Sequence, residues 1–122
     1  MKNYILLIED EPLIQKSLSK LLAKKGANVD AVATGKEAIE KILSNDYDRI
    51  ICDLMLQDIS GFDIIEDSKK KYSSSQISEL FIIITAYSSA QVHQKAQGYG
   101  CQLITKPFDD INNALNTFLG IE

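Results

Sequence analysis

The sequence predicts one doubly wound α/β domain, a five-stranded parallel sheet covered on both faces by five helices. Five apolar runs alternate with five stretches of helical character. The runs lack the polar interruptions of strands with one wetted face, so helices must cover both sides. The 122 residues, 45% apolar and 25% charged, have the composition of a single compact domain, and residues 1–122 are read as one unit.

The elements follow in order. The first strand is 4–8 (YILLI). In the helix after it Leu13, Leu18, Leu21 and Leu22 fall near helical spacing, with Pro12 suited to the first helical position and Gly26 to the stop. A second strand is expected over 28–33. Its helix carries Ala38, Ile39, Ile42 and Leu43 inward, and Thr34 with Glu37 forms a capping box at its start. The third strand is 49–52 (RIIC), and the third helix begins after Gly61 with Phe62 and Ile65 facing inward. That helix is expected to dissolve at Ser73-Ser74-Ser75 into a loop or fraying end. The fourth strand is 80–85 (LFIIIT). The fourth helix, about 89–97, offers only Ala90, Val92 and Ala96 for burial, an apolar stripe too thin to anchor it firmly. The last strand, 101–104, precedes a fifth helix carrying Ile111, Leu115, Phe118 and Leu119. Internal repeats are absent.

Charge and composition exclude several classes. Thirteen basic against seventeen acidic residues give a net charge of -4, and the longest basic run, Lys69-Lys70-Lys71, is too short to track a nucleic-acid backbone. It reads as a solvated helix end, and direct nucleic-acid binding is not expected. The N-terminal apolar run is too short for a signal-peptide core and far short of the ~20 residues of a membrane span, so no membrane partner and a cytoplasmic location are expected. Cys52 and Cys101 stand in no metal-ligand spacing and read as reduced core residues.

In an open parallel sheet the site lies beyond the carboxyl ends of the strands. There the chain places Glu9, Asp10 and Glu11 after the first strand, Asp53 after the third, Thr85 at the end of the fourth, and Lys106-Pro107 after the fifth. Carboxylates so gathered repel by several kcal/mol near a protein surface at ~4 Å separation. Lys106 offers one positive charge, so Glu9, Asp10 and Asp53 call for a hard dication such as Mg²⁺. Glu11 is accounted for by the positive end of the helix that follows. Asp53 is then either a ligand only or a nucleophile toward a phosphoryl group, with Thr85 and Lys106 placed to donate to phosphoryl oxygens.

Four segments, ILLIEDEP (5–12), ICDLMLQDISG (51–61), IIITAY (82–87) and TKPF (105–108), each at a strand end and in this order, resemble the receiver domains of two-component response regulators across nearly the whole chain. The resemblance implies the flavodoxin-like strand order 2-1-3-4-5. It implies Asp53 as phosphoacceptor, and Glu9, Asp10, Asp53 and the Met55 backbone carbonyl around Mg²⁺ or Mn²⁺. It implies Thr85 and Lys106 as the phosphoryl-binding and switch pair, and a cis bond before Pro107. Met55 and Tyr87 match side chains that tune phosphoryl lifetime or simply pack at the rim. The implied donor is a histidine kinase or phosphotransfer protein. The implied recipient is a downstream protein, an appended output domain or a phosphorylation-dependent homodimer, reached through the face of the fourth helix, fifth strand and fifth helix. Three positions depart from the family pattern. Leu103 stands where the switch aromatic is usual, Cys101-Gln102 replaces a common acidic pair, and Gln57 replaces a proline, which is expected to loosen one loop. The lone His93 reads as a surface residue on the fourth helix.

Rival readings are a receiver that signals without phosphorylation, an aspartyl-phosphate phosphatase, and a nucleotide binder sharing only the fold. Met55 occupies the position where dehalogenase-type phosphatases carry a second aspartate. The Glu9-Asp10-Glu11 loop would repel a bare phosphate.

Overall fold

The computed structural model describes residues 1–121. Strands β1 (Tyr4–Ile8), β2 (Asn28–Val32), β3 (Arg49–Asp53), β4 (Phe81–Thr85) and β5 (Gln102–Thr105) form one parallel sheet in the order β2-β1-β3-β4-β5. Helices α1 (Pro12–Lys24), α2 (Gly35–Ser44), α3 (Gly61–Ser68), α4 (Ser74–Leu80), α5 (Ala90–Tyr99) and α6 (Ile111–Leu119) connect and cover it.

Alternation along the buried strands divides the core in two. Leu6, Ile8, Ile50, Cys52, Phe81 and Ile83 point to one face and pack with residues of α2, α3, α4 and α5. Ile5, Leu7, Ile51, Ile82 and Ile84 point to the other and pack with α1 and α6. Because β1, β3 and β4 are covered on both faces, their residues are apolar without alternation in the sequence.

The helix count corrects the sequence expectation, six instead of five. The serine triplet at 73–75 does not fray. Ser73 caps α4, its hydroxyl accepting from Gln76 N while the Gln76 side chain accepts from Ser73 N. Ile77 and Leu80 bury the inner side of this short helix. Leu80 therefore ends a helix and does not begin β4. Leu43 near the end of α2 is also corrected, being 45% exposed and outside the core, and so is Leu13, which is 83% exposed. It lies five residues before Leu18, which rotates it by about 140° away from the buried stripe. Ile14 takes its place in that core.

The remaining features follow the expected physics. Gly26 adopts φ +96°, open to glycine, just past α1. Thr34 caps α2 by accepting from Glu37 N, but the Glu37 carboxylate meets the Thr34 hydroxyl instead of its backbone, so only half of the box forms. Both cysteines are buried free thiols. Lys69 and Lys70 pair with Glu66 and Asp67 one turn back, and Lys71 donates to the carbonyls of Ile42 and Asn45 at the end of α2. Among the described residues no helix is long and apolar enough to cross a membrane.

Candidate acidic site at the strand ends

The backbone carries the ladder past the last residues of β1, β3 and β5, which aligns the site residues. Glu9 N donates to Val32 O at 3.0 Å, Leu54 N to Ile84 O at 2.9 Å, and Lys106 N to Thr85 O at 2.7 Å. Gln15 on α1 adds two bonds, from its side-chain amide to the carbonyls of Glu9 (2.9 Å) and Val32 (3.0 Å). The sequence reading missed Gln15. A glutamine in a helix's first turn carries no signal of what it will reach.

Glu9, Asp10 and Asp53 are brought together, with one oxygen of each lying within 4.8 Å of the others. Glu9 is fully buried and Asp53 is 3% exposed. Lys106 Nζ donates to Glu9 Oε1 at 2.8 Å and to Asp53 Oδ2 at 3.3 Å. Glu9 Oε2 also accepts from Glu11 N, and Asp53 Oδ1 from Met55 N at 3.2 Å. Glu11 is thus present through its backbone, and its side chain is exposed.

One ammonium faces three carboxylates, and the electrostatics reflect the imbalance. Burial first, and then the adjacent Glu9 carboxylate, push Asp53 up to about 7, against the opposing pull of Lys106 and the Met55 N–H. Burial works against the Lys106 ammonium, yet Glu9 and Asp53 together hold its pKa above the ordinary lysine value. The donor set, hard carboxylate oxygens with excess negative charge, fits a hard divalent cation.

Thr85 is fully buried at the end of β4. Its hydroxyl donates to Tyr87 O and accepts from Tyr87 N, both at 3.0 Å, and so is engaged with its own loop. The Lys106–Pro107 peptide bond is cis. Met55 and Tyr87 are 61% and 64% exposed on the loops after β3 and β4. Leu103 on β5 is half-buried against the core that includes Val92 and Tyr99. His93 is exposed on α5, and its Nε2 lies 2.6 Å from the Ser88 hydroxyl.

Gly61 explains how α3 can start so close to Asp53. A Cβ there would sit 2.9 Å from Asp53 O and 3.1 Å from Leu54 Cα, so no side chain fits. Ser60 and Asp63 then close a capping box on the first turn.

A family model described as "Response regulator receiver domain" matches residues 5–116. Among curated proteins the chain is similar to the response regulator ArlR of Staphylococcus aureus, 37% identical over 106 residues. That match takes in 86% of this chain and 46% of ArlR, so the chain spans about half the length of such relatives. Among solved structures it resembles the non-phosphorylated HemR receiver domain of Leptospira biflexa (31% identity, TM-score 0.81, covering 93% of this chain and 89% of that one). It also resembles TrrA of Thermotoga maritima in complex with Mg(2+)-BeF (27% identity, TM-score 0.73, covering 96% and 99%). Chemotaxis protein CheY4 of Vibrio cholerae shares the fold over 100% of both chains at 23% identity, with a TM-score of 0.84.

Proposed function

Because the chain belongs to the response regulator receiver domains, we propose that it is a phosphorylation-dependent signalling receiver whose acceptor is Asp53. The observation that carries this reading is a nearly buried carboxylate at the end of β3, 3.3 Å from the Lys106 ammonium and clustered with Glu9 and Asp10.

In the proposed step an Asp53 oxygen attacks the phosphorus of a phosphohistidine on a kinase or phosphotransfer protein. The P–N bond breaks as the O–P bond forms, and the imidazole, protonated at its other nitrogen, leaves as the neutral ring. Mg²⁺ or Mn²⁺, held by Glu9, Asp10, Asp53 and the Met55 carbonyl, would offset the charge that gathers on the carboxylates and the transferring group. Lys106 remains beside Asp53 to pair with a phosphoryl oxygen. Water attack at phosphorus later breaks the Asp53 O–P bond and releases phosphate, with Met55 and Tyr87 screening its approach. The transfer is self-directed, so the domain is a signalling module and not an enzyme for diffusible substrates. The cytoplasm is the compartment proposed for it.

The signal follows from Thr85. The phosphoryl adds about -1.5 to -2 charges at one point. To donate to it, the Thr85 hydroxyl must leave the Tyr87 carbonyl. That frees the loop leading to Ser89, which caps α5 by accepting from Val92 N. The α5–β5–α6 face changes as a result, and a downstream protein, an appended output domain or a second copy reads the change.

The test is labelling by a small phosphodonor such as acetyl phosphate, with and without Mg²⁺. Label is expected on the wild type with Mg²⁺ and absent from Asp53→Asn. Normal labelling of Asp53→Asn, or none of the wild type, overturns the reading.

A further inference from the structure

Gln57 stands where a proline would stiffen the loop after Asp53, yet the loop is held by another device. Its base is closed by a two-residue antiparallel bridge between Met55 and Ser60 and by Gly61 N donating to Leu54 O at 2.9 Å. Its tip is held from outside. Asp58 Oδ1 accepts from Gly35 N at 2.9 Å and Oδ2 from Lys36 N at 3.0 Å, the first two amides of α2. Among the described residues, 56–59 make no other hydrogen bond to a different element.

Helix α2 has its own cap in Thr34, which satisfies Glu37 N. The carboxylate of Asp58 thus comes from a distant part of the chain to take the donors Thr34 leaves over. Those two N–H groups hold its carboxyl below the usual range. Beside it, Ile59 lies against Gly35 so closely that a Cβ there would fall 2.2 Å from Ile59 Cγ1 and 2.6 Å from Cδ1. A residue without a side chain at 35, an apolar side chain at 59 and a bidentate carboxylate at 58 together fasten the loop tip to α2.

We propose that Asp58 is a positioning residue for the acceptor site: by clamping the loop to α2 it fixes the backbone of Met55, the residue assigned to the cation. The inference rests on the proposed function for the use of that backbone. The Met55 N–H already donates to Asp53 Oδ1, and its carbonyl, having no rotamer of its own, can be aimed only by the course of this loop. Outer contacts that orient metal ligands commonly affect binding by about ten- to a hundredfold.

The test uses the full chain in a Mg²⁺ titration followed by amide chemical shifts, with amide hydrogen exchange measured in metal-free protein. Asp58→Ala is expected to weaken Mg²⁺ binding about tenfold and to speed exchange at Met55 and Ser60, with Asp58→Asn intermediate. Gly35→Ala, which drives a methyl into Ile59, should weaken binding similarly, and adding Ile59→Ala should restore it by making room. Ser73→Ala removes a helix cap from α4 and serves as the control for general stability loss. It should leave Mg²⁺ affinity unchanged.

Asp58→Ala with Mg²⁺ affinity within about twofold of wild type and unchanged Met55 exchange would overturn the proposal, whatever its unfolding midpoint. A wild type that binds Mg²⁺ but takes no label at Asp53 would sink the acceptor reading while leaving the clamp supported by these measurements. If the wild type binds no Mg²⁺, the cation assignment falls and Met55 exchange alone decides the clamp.

Discussion

The acceptor loop and helix α5 lie at the two ends of the proposed signal path, and they are held in opposite ways. Around Asp53 the charged groups are buried and cross-bonded, with Glu9 fully buried, and the loop is clamped to α2 at its tip. Helix α5 buries only Ala96. Its hold on α3 is lateral. Tyr99 stacks on Phe62 with ring centroids 5.9 Å apart and donates to Glu66, while Lys95 and Lys69 sit over the Phe62 and Tyr99 rings. Such contacts contribute about 1 kcal/mol each and are partly wet. The difference places excess charge where the chain is cross-bonded and weak packing where the proposed signal requires movement.

The largest expected effect comes from breaking the rigid end. Lys106→Met leaves Glu9 and Asp53 buried without their ammonium, and should cost about 3 kcal/mol in unfolding free energy of metal-free protein at pH 8. A urea midpoint unchanged from wild type would mean that the pair is far wetter than its burial implies.

The second effect has the opposite sign. Asp53 has its folded-state pKa raised to about 7, so the folded state binds this proton more tightly than the unfolded state does. Its stabilising contribution is therefore present while the carboxyl is protonated and is lost as pH rises from about 4 to about 7. Metal-free Asp53→Asn, which cannot ionise, should exceed wild type by about 2 kcal/mol at pH 8 and by little at pH 4. Saturating Mg²⁺ should narrow the gap at pH 8. A gap independent of pH, measured by denaturation across that range, would remove charge imbalance as its cause.

The smallest effect belongs to the loose end. Tyr99→Phe keeps the ring stack and the Lys69 contact, removes only the bond to Glu66, and should cost about 1 kcal/mol. Amide exchange should quicken along α5 while Asp53 labelling stays at the wild-type rate. If exchange quickened equally in β3, the two regions would not be separable.

Legibility follows the same division. Glu9, Asp10, Asp53, Thr85 and Lys106 could be read from the chain because each directly follows or ends an apolar run, and a parallel sheet gathers such positions at one edge. The α4 cap is present in the chain as Ser73-x-x-Gln76, but three serines in a row suit a loop equally well. Asp58, Gln15 and Tyr99 could not be read. Each meets groups far along the chain through a polar or aromatic contact, and neither periodicity nor local motif marks such a partner.

By itself the sequence determined the layer architecture, the family and the identity of the charged cluster, because these depend on hydrophobic period and on which residues end each strand. Only the tertiary structure decided how Asp53 is held. The Lys106 contact and the Asp58 clamp on α2 depend on directional hydrogen bonds between distant segments, which form only when packing has set their separation.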